Sequence, residues 1–239
     1  MKRTLMILAL ICLLASTAFA GFKEFNTAYI AKDYATALAE VDKVITDGTA
    51  SVTDKANAYL YKGYCYYMLK QFETAIPEFQ KVLSDYSRER RLCVKAQLYI
   101  GDCYKLLKQF DEAILELQKV STDYPKERTL GAVSYRHIGY CHECLNNDAK
   151  SQEAYIKVLA DYPDVLGTVK LVFDKVNFFL LSEEEAITIL KTVRRATPVP
   201  LPKILGEKNL DGTPTEKAKQ AQATLDFLGK VGGEIGKLD

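Results

Sequence analysis

Apolar residues recur at helical spacing on both sides of a short polar break near residue 70. Before the break they fall three or four residues apart, at Ala56, Leu60, Gly63 and Tyr67. After the break the same spacing returns at Phe72, Ile76, Phe79 and Leu83. Such spacing is typical of an amphipathic helix. Because the break is short, at Lys70-Gln71, the pattern predicts two antiparallel helices joined as a hairpin.

The hairpin pattern repeats at an interval of 38 residues. Several series share this interval and one register: Gly63, Gly101 and Gly139; Cys65, Cys103 and Cys141; Val44, Val82, Val120 and Val158; Asp47, Asp85, Asp123 and Asp161. The break recurs at 108–109 and 146–147, and Tyr-Pro steps follow at 124–125 and 162–163. A residue before proline avoids the α region, so these steps predict helix ends. We predict four two-helix repeats over residues 21–163.

Small residues recur within each predicted hairpin. We expect Gly63 to face Ala75 across the hairpin, and the same register then pairs Gly101 with Ala113 and Gly139 with Ser151. Small side chains at a crossing let helix axes approach to about 8 Å. A glycine inside a helix costs about 1 kcal/mol relative to alanine, so close packing is expected to offset that cost.

The first twenty residues resemble a secretory signal. Lys2 and Arg3 precede an apolar run from Leu5 to Leu14, and Ala18-Phe19-Ala20 then fits the preference of signal peptidase. We expect residues 1–20 to be removed by cleavage after Ala20, which predicts an exported and periplasmic protein. The alternative is an uncleaved membrane anchor, although the apolar run is short for a stable span.

The pattern changes after residue 163. Residues 164–196 carry an apolar stripe and a capping box at Ser182 and Glu185, which predicts a degenerate fifth hairpin. Prolines then define a linker over 197–212. Thr213, Pro214 and Glu216 begin a last helix within 213–239, which we expect to cap the repeats.

Composition excludes some classes of function and leaves one cluster to consider. Lys and Arg total 32 against 31 Asp and Glu, so no basic field indicates nucleic acid or anionic lipid. No phosphate-binding glycine loop and no histidine-based triad is present, which predicts no catalytic residues and no cofactor.

A metal site centred on residues 137–144 is the alternative that this composition leaves open. His137, Cys141, His142 and Cys144 provide suitable residue types. However, a second cysteine pair is missing, and Cys141 only continues the series of Cys65 and Cys103. We therefore predict no metal, and we interpret the three repeated cysteines as buried thiols, because equivalent helices lie too far apart for a disulfide.

The repeat resembles the tetratricopeptide repeat (TPR). Gly63-Tyr64-Cys65-Tyr66 with Phe72, Ala75, Phe79 and Val82 is similar to a TPR unit, and Gly101, Tyr104, Phe110, Ala113, Val120 and Pro125 match again. Each unit is longer than the usual TPR, and no coiled coil precedes the repeats. The Tyr-Pro endings are similar to envelope TPR proteins of Gram-negative bacteria, such as the Tol–Pal-associated periplasmic protein and the lipoprotein of outer-membrane assembly.

The resemblance implies an all-α, right-handed superhelical solenoid whose first helices line a concave binding face. Residues three before, one after and four after each glycine would line that face: Leu60, Tyr64 and Tyr67; Leu98, Asp102 and Lys105; Arg136, Tyr140 and Glu143. It thus implies a non-catalytic, exported scaffold of the cell envelope that binds a protein or peptide. The alternatives are a self-assembling structural subunit and, with less support, the metal site or an enzyme built on it.

Overall fold

The structure is a computed structural model that describes residues 22–173, 175–176, 181–182, 184–185, 188–189 and 192. The predicted signal peptide, linker and C-terminal helix lie outside these residues. All regular secondary structure in the described part is helical, as the repeat pattern predicts.

The helices follow one another with short connections. They are α1 (residues 22–30), α2 (Tyr34–Thr46), α3 (Val52–Met68), α4 (Phe72–Asp85), α5 (Arg90–Leu106), α6 (Phe110–Asp123), α7 (Arg128–Cys144), α8 (Asp148–Asp161) and α9 (Leu166–Phe173). The chain divides into two compact units, Met1–Leu130 and Gly131–Asp239. In the first unit α3 packs against α2, α4 and α5, and α5 packs against α4 and α6. In the second unit α8 packs against α9.

One turn geometry joins the two helices of every hairpin. Lys32, Lys70, Lys108 and Asn146 have positive φ values between 54° and 61°, and they are 38 residues apart. At the second of these turns the N–H of Lys70 donates to the Tyr67 carbonyl and that of Gln71 to the Tyr66 carbonyl, each at 2.9 Å. This pair of bonds is a Schellman cap, which satisfies carbonyls left open at a helix end. The breaks predicted at 70–71, 108–109 and 146–147 are confirmed.

The second helix of each repeat ends where the sequence predicts. The C-caps of α4, α6 and α8 are Tyr86, Tyr124 and Tyr162. The predicted capping box at residue 182 is also present: the Glu185 N–H donates to Ser182 Oγ at 3.3 Å, and the Ser182 N–H donates to Glu185 Oε2 at 3.0 Å. The exact domain boundaries stay predictions, because much of 164–196 lies outside the described residues.

The partner predicted for each glycine is wrong by one helical turn. A Cβ placed on Gly63 would lie 2.5 Å from Cε1 of Phe79, so Phe79 and not Ala75 fills the space that the glycine leaves. Gly101 meets Leu117 in the same way, and Gly139 meets Tyr155. The reason is geometric. In an antiparallel hairpin, two residues face each other when they lie equally far along the sequence from the turn. For each of these pairs, the residue midway between the two is the one that follows the positive-φ residue.

One core cluster of the first unit consists of buried side chains from α3, α4 and α5. Phe79 and Val82 from α4 pack with Leu60, Ile100 and Cys103 from α3 and α5. Buried side chains of this kind each contribute about 1.5–3 kcal/mol relative to exposure. Packing between hairpins therefore supplies stability that short helices lack alone.

Candidate functional site

Two of the predicted binding residues belong to the core. Leu60 is 1% exposed and Leu98 is 8% exposed, so neither offers a useful surface to a bound protein. Position relative to glycine does not by itself decide exposure, since Asp102 is also only 9% exposed. The assignment of Leu60 and Leu98 to a binding face is corrected accordingly.

Tyr64 is a half-buried contact between successive first helices. Its ring centroid lies 4.5 Å from that of Tyr99 on α5 and 5.6 Å from that of Phe79 on α4. Burial raises the pKa of Tyr64, so its hydroxyl is neutral at physiological pH. Aromatic pairs at such distances add about 0.5–1.5 kcal/mol to their area burial. Tyr64 therefore braces α3 against α5.

A polar contact lies beside this aromatic contact. The Tyr67 hydroxyl donates to Oδ2 of Asp102 at 2.5 Å, and Nζ of Lys105 contacts Oδ1 of the same carboxylate. Burial has the largest effect on the pKa of Tyr67 and raises it, and the Asp102 carboxylate raises it further. Bonds to an ionised carboxylate are stronger than neutral ones, so this cluster holds α3 and α5 in a defined arrangement. Three predicted residues are thus brought together within the first unit.

The three predicted residues of the second unit have different environments. Tyr140 is 47% exposed, and Cys144 beside it raises the pKa of its hydroxyl. Glu143 is engaged elsewhere, because both its carboxylate oxygens lie 2.9 Å from Nζ of Lys175. Nη2 of Arg136 lies 2.6 Å from Nε2 of His137. In the second unit Tyr140 is therefore the predicted residue with the most accessible surface.

Sequence reasoning missed a row of exposed apolar side chains. Ile30, Met68 and Leu106 are 80%, 45% and 43% exposed, and each ends or nearly ends a first helix. They are 38 residues apart, five positions after Phe25, Gly63 and Gly101. That interval was the available signal. Exposed apolar side chains in one register indicate an interaction surface more strongly than scattered ones.

The metal alternative has no geometric support in the described part of the chain. No group of three or more His, Cys, Asp or Glu side chains there is placed to hold a metal ion. Cys65, Cys93, Cys103 and Cys141 are buried free thiols, and Cys144 is a partly exposed one, so the expectation of buried, unbridged repeat cysteines is confirmed. No described helix is long and apolar enough to cross a membrane.

Comparison with known proteins identifies the repeat. The family model described as the tetratricopeptide repeat matches residues 57–88 and 95–127, which are the α3–α4 and α5–α6 hairpins. Over these two hairpins the chain is similar to tetratricopeptide repeats. No curated protein sequence is significantly similar to it.

One solved structure agrees with the TPR similarity at the level of the fold. A MamA structure, the RS-1 ArsTM double mutant, superposes with a TM-score of 0.53 at 16% identity, over 75% of this chain and 94% of that one. A thermophilic TPR protein of Thermus thermophilus gives a TM-score of 0.47 at 14% identity, over 87% and 99%. The first likeness confirms the predicted all-α fold class of TPR proteins. It gives no support to a Tol–Pal or outer-membrane assembly type in particular.

The TPR assignment also indicates a broad class of function. TPR proteins generally act as scaffolds for protein interactions, and their fold is typically non-catalytic.

Proposed function

We propose that this chain is an exported, non-catalytic scaffold that binds a protein or peptide partner on the surface formed by its first helices. The observation that supports this proposal is that Met68 and Leu106 are exposed near the Tyr67–Asp102 hydrogen bond. The bond and the Tyr64–Tyr99 contact fix α3 and α5 before any partner arrives. Such preorganisation lowers the conformational entropy lost on binding.

Export to the cell envelope is a separate part of the proposal. It is supported by the sequence of residues 1–20, in which two basic residues precede an apolar run and Ala18-Phe19-Ala20. Mass spectrometry of the protein purified from its native envelope fraction should find Gly21 as the first residue. Recovery of the chain with residues 1–20 attached would contradict cleavage.

The binding surface is tested best at exposed residues. Tyr64 is unsuitable, because it packs in the core and its loss would weaken the fold. We instead substitute Met68→Ser and Leu106→Ser together in the mature chain. The matched control is Leu115→Ser, which changes a side chain that is 60% exposed on the second helix α6.

Capture of partners from an envelope extract, followed by their identification, reads out the result. We expect a defined partner captured by the unmodified chain to be lost from the double variant and retained by the control. Circular dichroism should show equal helicity in all three proteins. Retention of that partner by the double variant would reject the surface, and concentration-dependent sedimentation without a partner would favour the self-assembling alternative.

A further inference from the structure

The first half of α5 carries two exposed cations on the same stripe as the predicted binding residues. Arg91 and Lys95 are one helical turn apart, and continuing in steps of three or four residues leads to Leu98, Asp102 and Lys105. Both cations are exposed, and within the described part of the chain neither makes a salt bridge. They therefore form an uncompensated positive margin on this face of α5.

A neighbouring cation shows that this freedom is not general on α5. Nη2 of Arg90 donates to the Asp123 carbonyl at 2.9 Å, and its guanidinium lies 5.3 Å from the Tyr124 ring centre. Arg90 therefore supports packing between α5 and α6. Arg91 and Lys95 remain available to a negative group from outside.

The opposite margin of the same face is apolar. It consists of Ile30, Met68 and Leu106, one from each first helix of the first unit. Along α5 the 11 residues from Lys95 to Leu106 correspond to about 16 Å at 1.5 Å per residue. A helix with its side chains is about 10–12 Å across, so one helix laid across α3 and α5 against the apolar margin leaves a gap of a few Å to Lys95, which the flexible four-carbon side chain of that lysine can span.

We propose that this face binds an amphipathic helix of a partner protein, with acidic residues on one flank and apolar residues on the other. The acidic flank lies against Arg91 and Lys95, and the apolar flank lies against Met68 and Leu106. Packed helices are about 8–10 Å apart, and seven residues of a helix rise about 10.5 Å, so apolar residues seven apart meet successive repeats. This inference rests on the proposed function and adds the chemistry of the partner.

A membrane surface fits the observations less well than an acidic helix. Exposed lysines do lie next to the apolar margin, at Lys70 and Lys108 in the turns. However, exposed carboxylates follow directly at Glu73, Asp111 and Glu112 in the first turns of α4 and α6. Anionic lipid would be repelled by these acids about as much as it is attracted by the lysines. Charge at this margin therefore gives lipid no advantage.

Designed peptides test the proposal directly. The probe is a labelled 21-residue helix with leucines seven residues apart along one stripe and glutamates on one flank, and its comparison has lysines in place of the glutamates. Titration of the full mature chain by fluorescence anisotropy should give at least about tenfold tighter binding of the glutamate peptide at low salt, since charge complementarity selects partners. The preference should shrink as salt rises.

Charge reversal supplies the decisive variant. Arg91→Glu with Lys95→Glu should remove or invert the preference for the glutamate peptide. The control Arg88→Glu with Lys126→Glu makes the same change in net charge at two exposed residues that lie before α5 and α7 and outside both helices, and it should keep the preference. An inverted preference also shows that the reversed variant is folded.

Several results would overturn the inference. Equal affinity for both peptides, or a preference unchanged by Arg91→Glu and Lys95→Glu, would reject the acidic helix. Competition by anionic lipid vesicles that depends on Met68 and Leu106 would assign the face to membranes. If neither peptide binds while the captured partner still depends on Met68 and Leu106, the partner chemistry is wrong and the scaffold function stands. If that dependence is also missing, the proposed function fails as well.

Discussion

The α3–α4 and α7–α8 hairpins have matching helix lengths and matching turns but different interiors. Opposite its glycine the first hairpin holds Phe79, and the second holds Tyr155. The small residue one turn nearer the bend is Ala75 in the first and Ser151 in the second, and both are buried. The repeat therefore requires a large side chain opposite the glycine, but it does not require an apolar one.

The polar interior consists of the Ser151 and Tyr155 hydroxyls, which are buried and make no hydrogen bond within the described part of the chain. Glu143 and Ser151 lie near enough to the Tyr155 hydroxyl to influence it. Burial raises the pKa of Tyr155 most, Glu143 raises it further, and Ser151 lowers it. A buried hydroxyl is costly without polar neighbours. The two departures from the apolar pattern, at 151 and 155, thus place two polar groups near each other without a hydrogen bond between them.

The largest expected effect tests what the hairpins share. Gly63→Ala and Gly139→Ala should each destabilise the protein by about 3 kcal/mol, since the added methyl group would overlap a fully buried ring. Urea denaturation followed by circular dichroism measures the loss. The control is Gly167→Ala in α9, where no atom lies within 4 Å of the new Cβ, and this change should stabilise by up to about 1 kcal/mol. Equal behaviour of all three variants would refute the close approach.

The second prediction tests what the hairpins do not share. Phe79→Tyr should cost about 2 kcal/mol, because it buries a hydroxyl among apolar groups. Adding Ala75→Ser should recover part of that loss by imitating the second hairpin. A double-mutant cycle in urea measures the coupling of the two substitutions. If the two changes in the free energy of unfolding simply add, the residues at positions 75 and 79 are not coupled. The presence of Ser151 in the second hairpin would then be unrelated to that of Tyr155.

The third prediction uses pH to compare the burial of two repeated thiols with that of the Tyr155 hydroxyl. Burial raises the pKa of the Cys65 and Cys103 thiols from 9.0 to about 12. The folded state then holds protons that the unfolded state releases, so stability is complete below pH 9 and falls as pH rises toward 12. Each thiol should cost about 1 kcal/mol by pH 10. Cys65→Ala with Cys103→Ala should flatten the decline between pH 9 and 10 in urea titrations, whereas Tyr155→Phe should act only above pH 10. A pH profile unchanged by the cysteine substitutions would contradict the assignment.

The smallest expected effect concerns the turns. Lys70→Gly should stabilise by about 1 kcal/mol, since lysine with φ of 60° is strained and glycine is not. Asn146→Gly should gain only a few tenths of a kcal/mol, because asparagine tolerates this region well. Thermal unfolding of the two variants compares the gains. A destabilising Lys70→Gly would indicate that the lysine side chain contributes more than its backbone strain costs.

Local signals predicted the fold well. The polar breaks marked each turn, because helix ends depend on nearby residues and their caps. The capping box at Ser182 and Glu185 was also evident from spacing alone. The pairing of Gly63 with Phe79 was missed, since it depends on the distance of each residue from the turn. The residues that face each other across a hairpin can be predicted once the residue at the centre of the turn is known.

The binding surface was less predictable. Position in the repeat grouped Tyr67, Asp102 and Lys105 correctly, yet it also included Leu60 and Leu98, which the core buries. Whether a side chain at such a position is exposed depends on its length and on the neighbouring hairpin. Met68 and Leu106 were overlooked because apolar residues at a helix end are usually assigned to the core. Neither outcome follows from the period of the repeat.

The contact between glycine and the large residue has a consequence for how such chains grow. The glycine and the large residue lie 16 residues apart, so both belong to the same hairpin. Each hairpin therefore keeps this contact when a whole hairpin is duplicated or deleted. The contacts between successive hairpins behave differently from this internal contact. Tyr64–Tyr99 and Tyr67–Asp102 each need a matching residue on the neighbouring hairpin. Gain or loss of whole 38-residue segments is therefore restricted by the contacts between hairpins. A duplicated hairpin must adapt the side chains that contact its neighbours before those that pack within it.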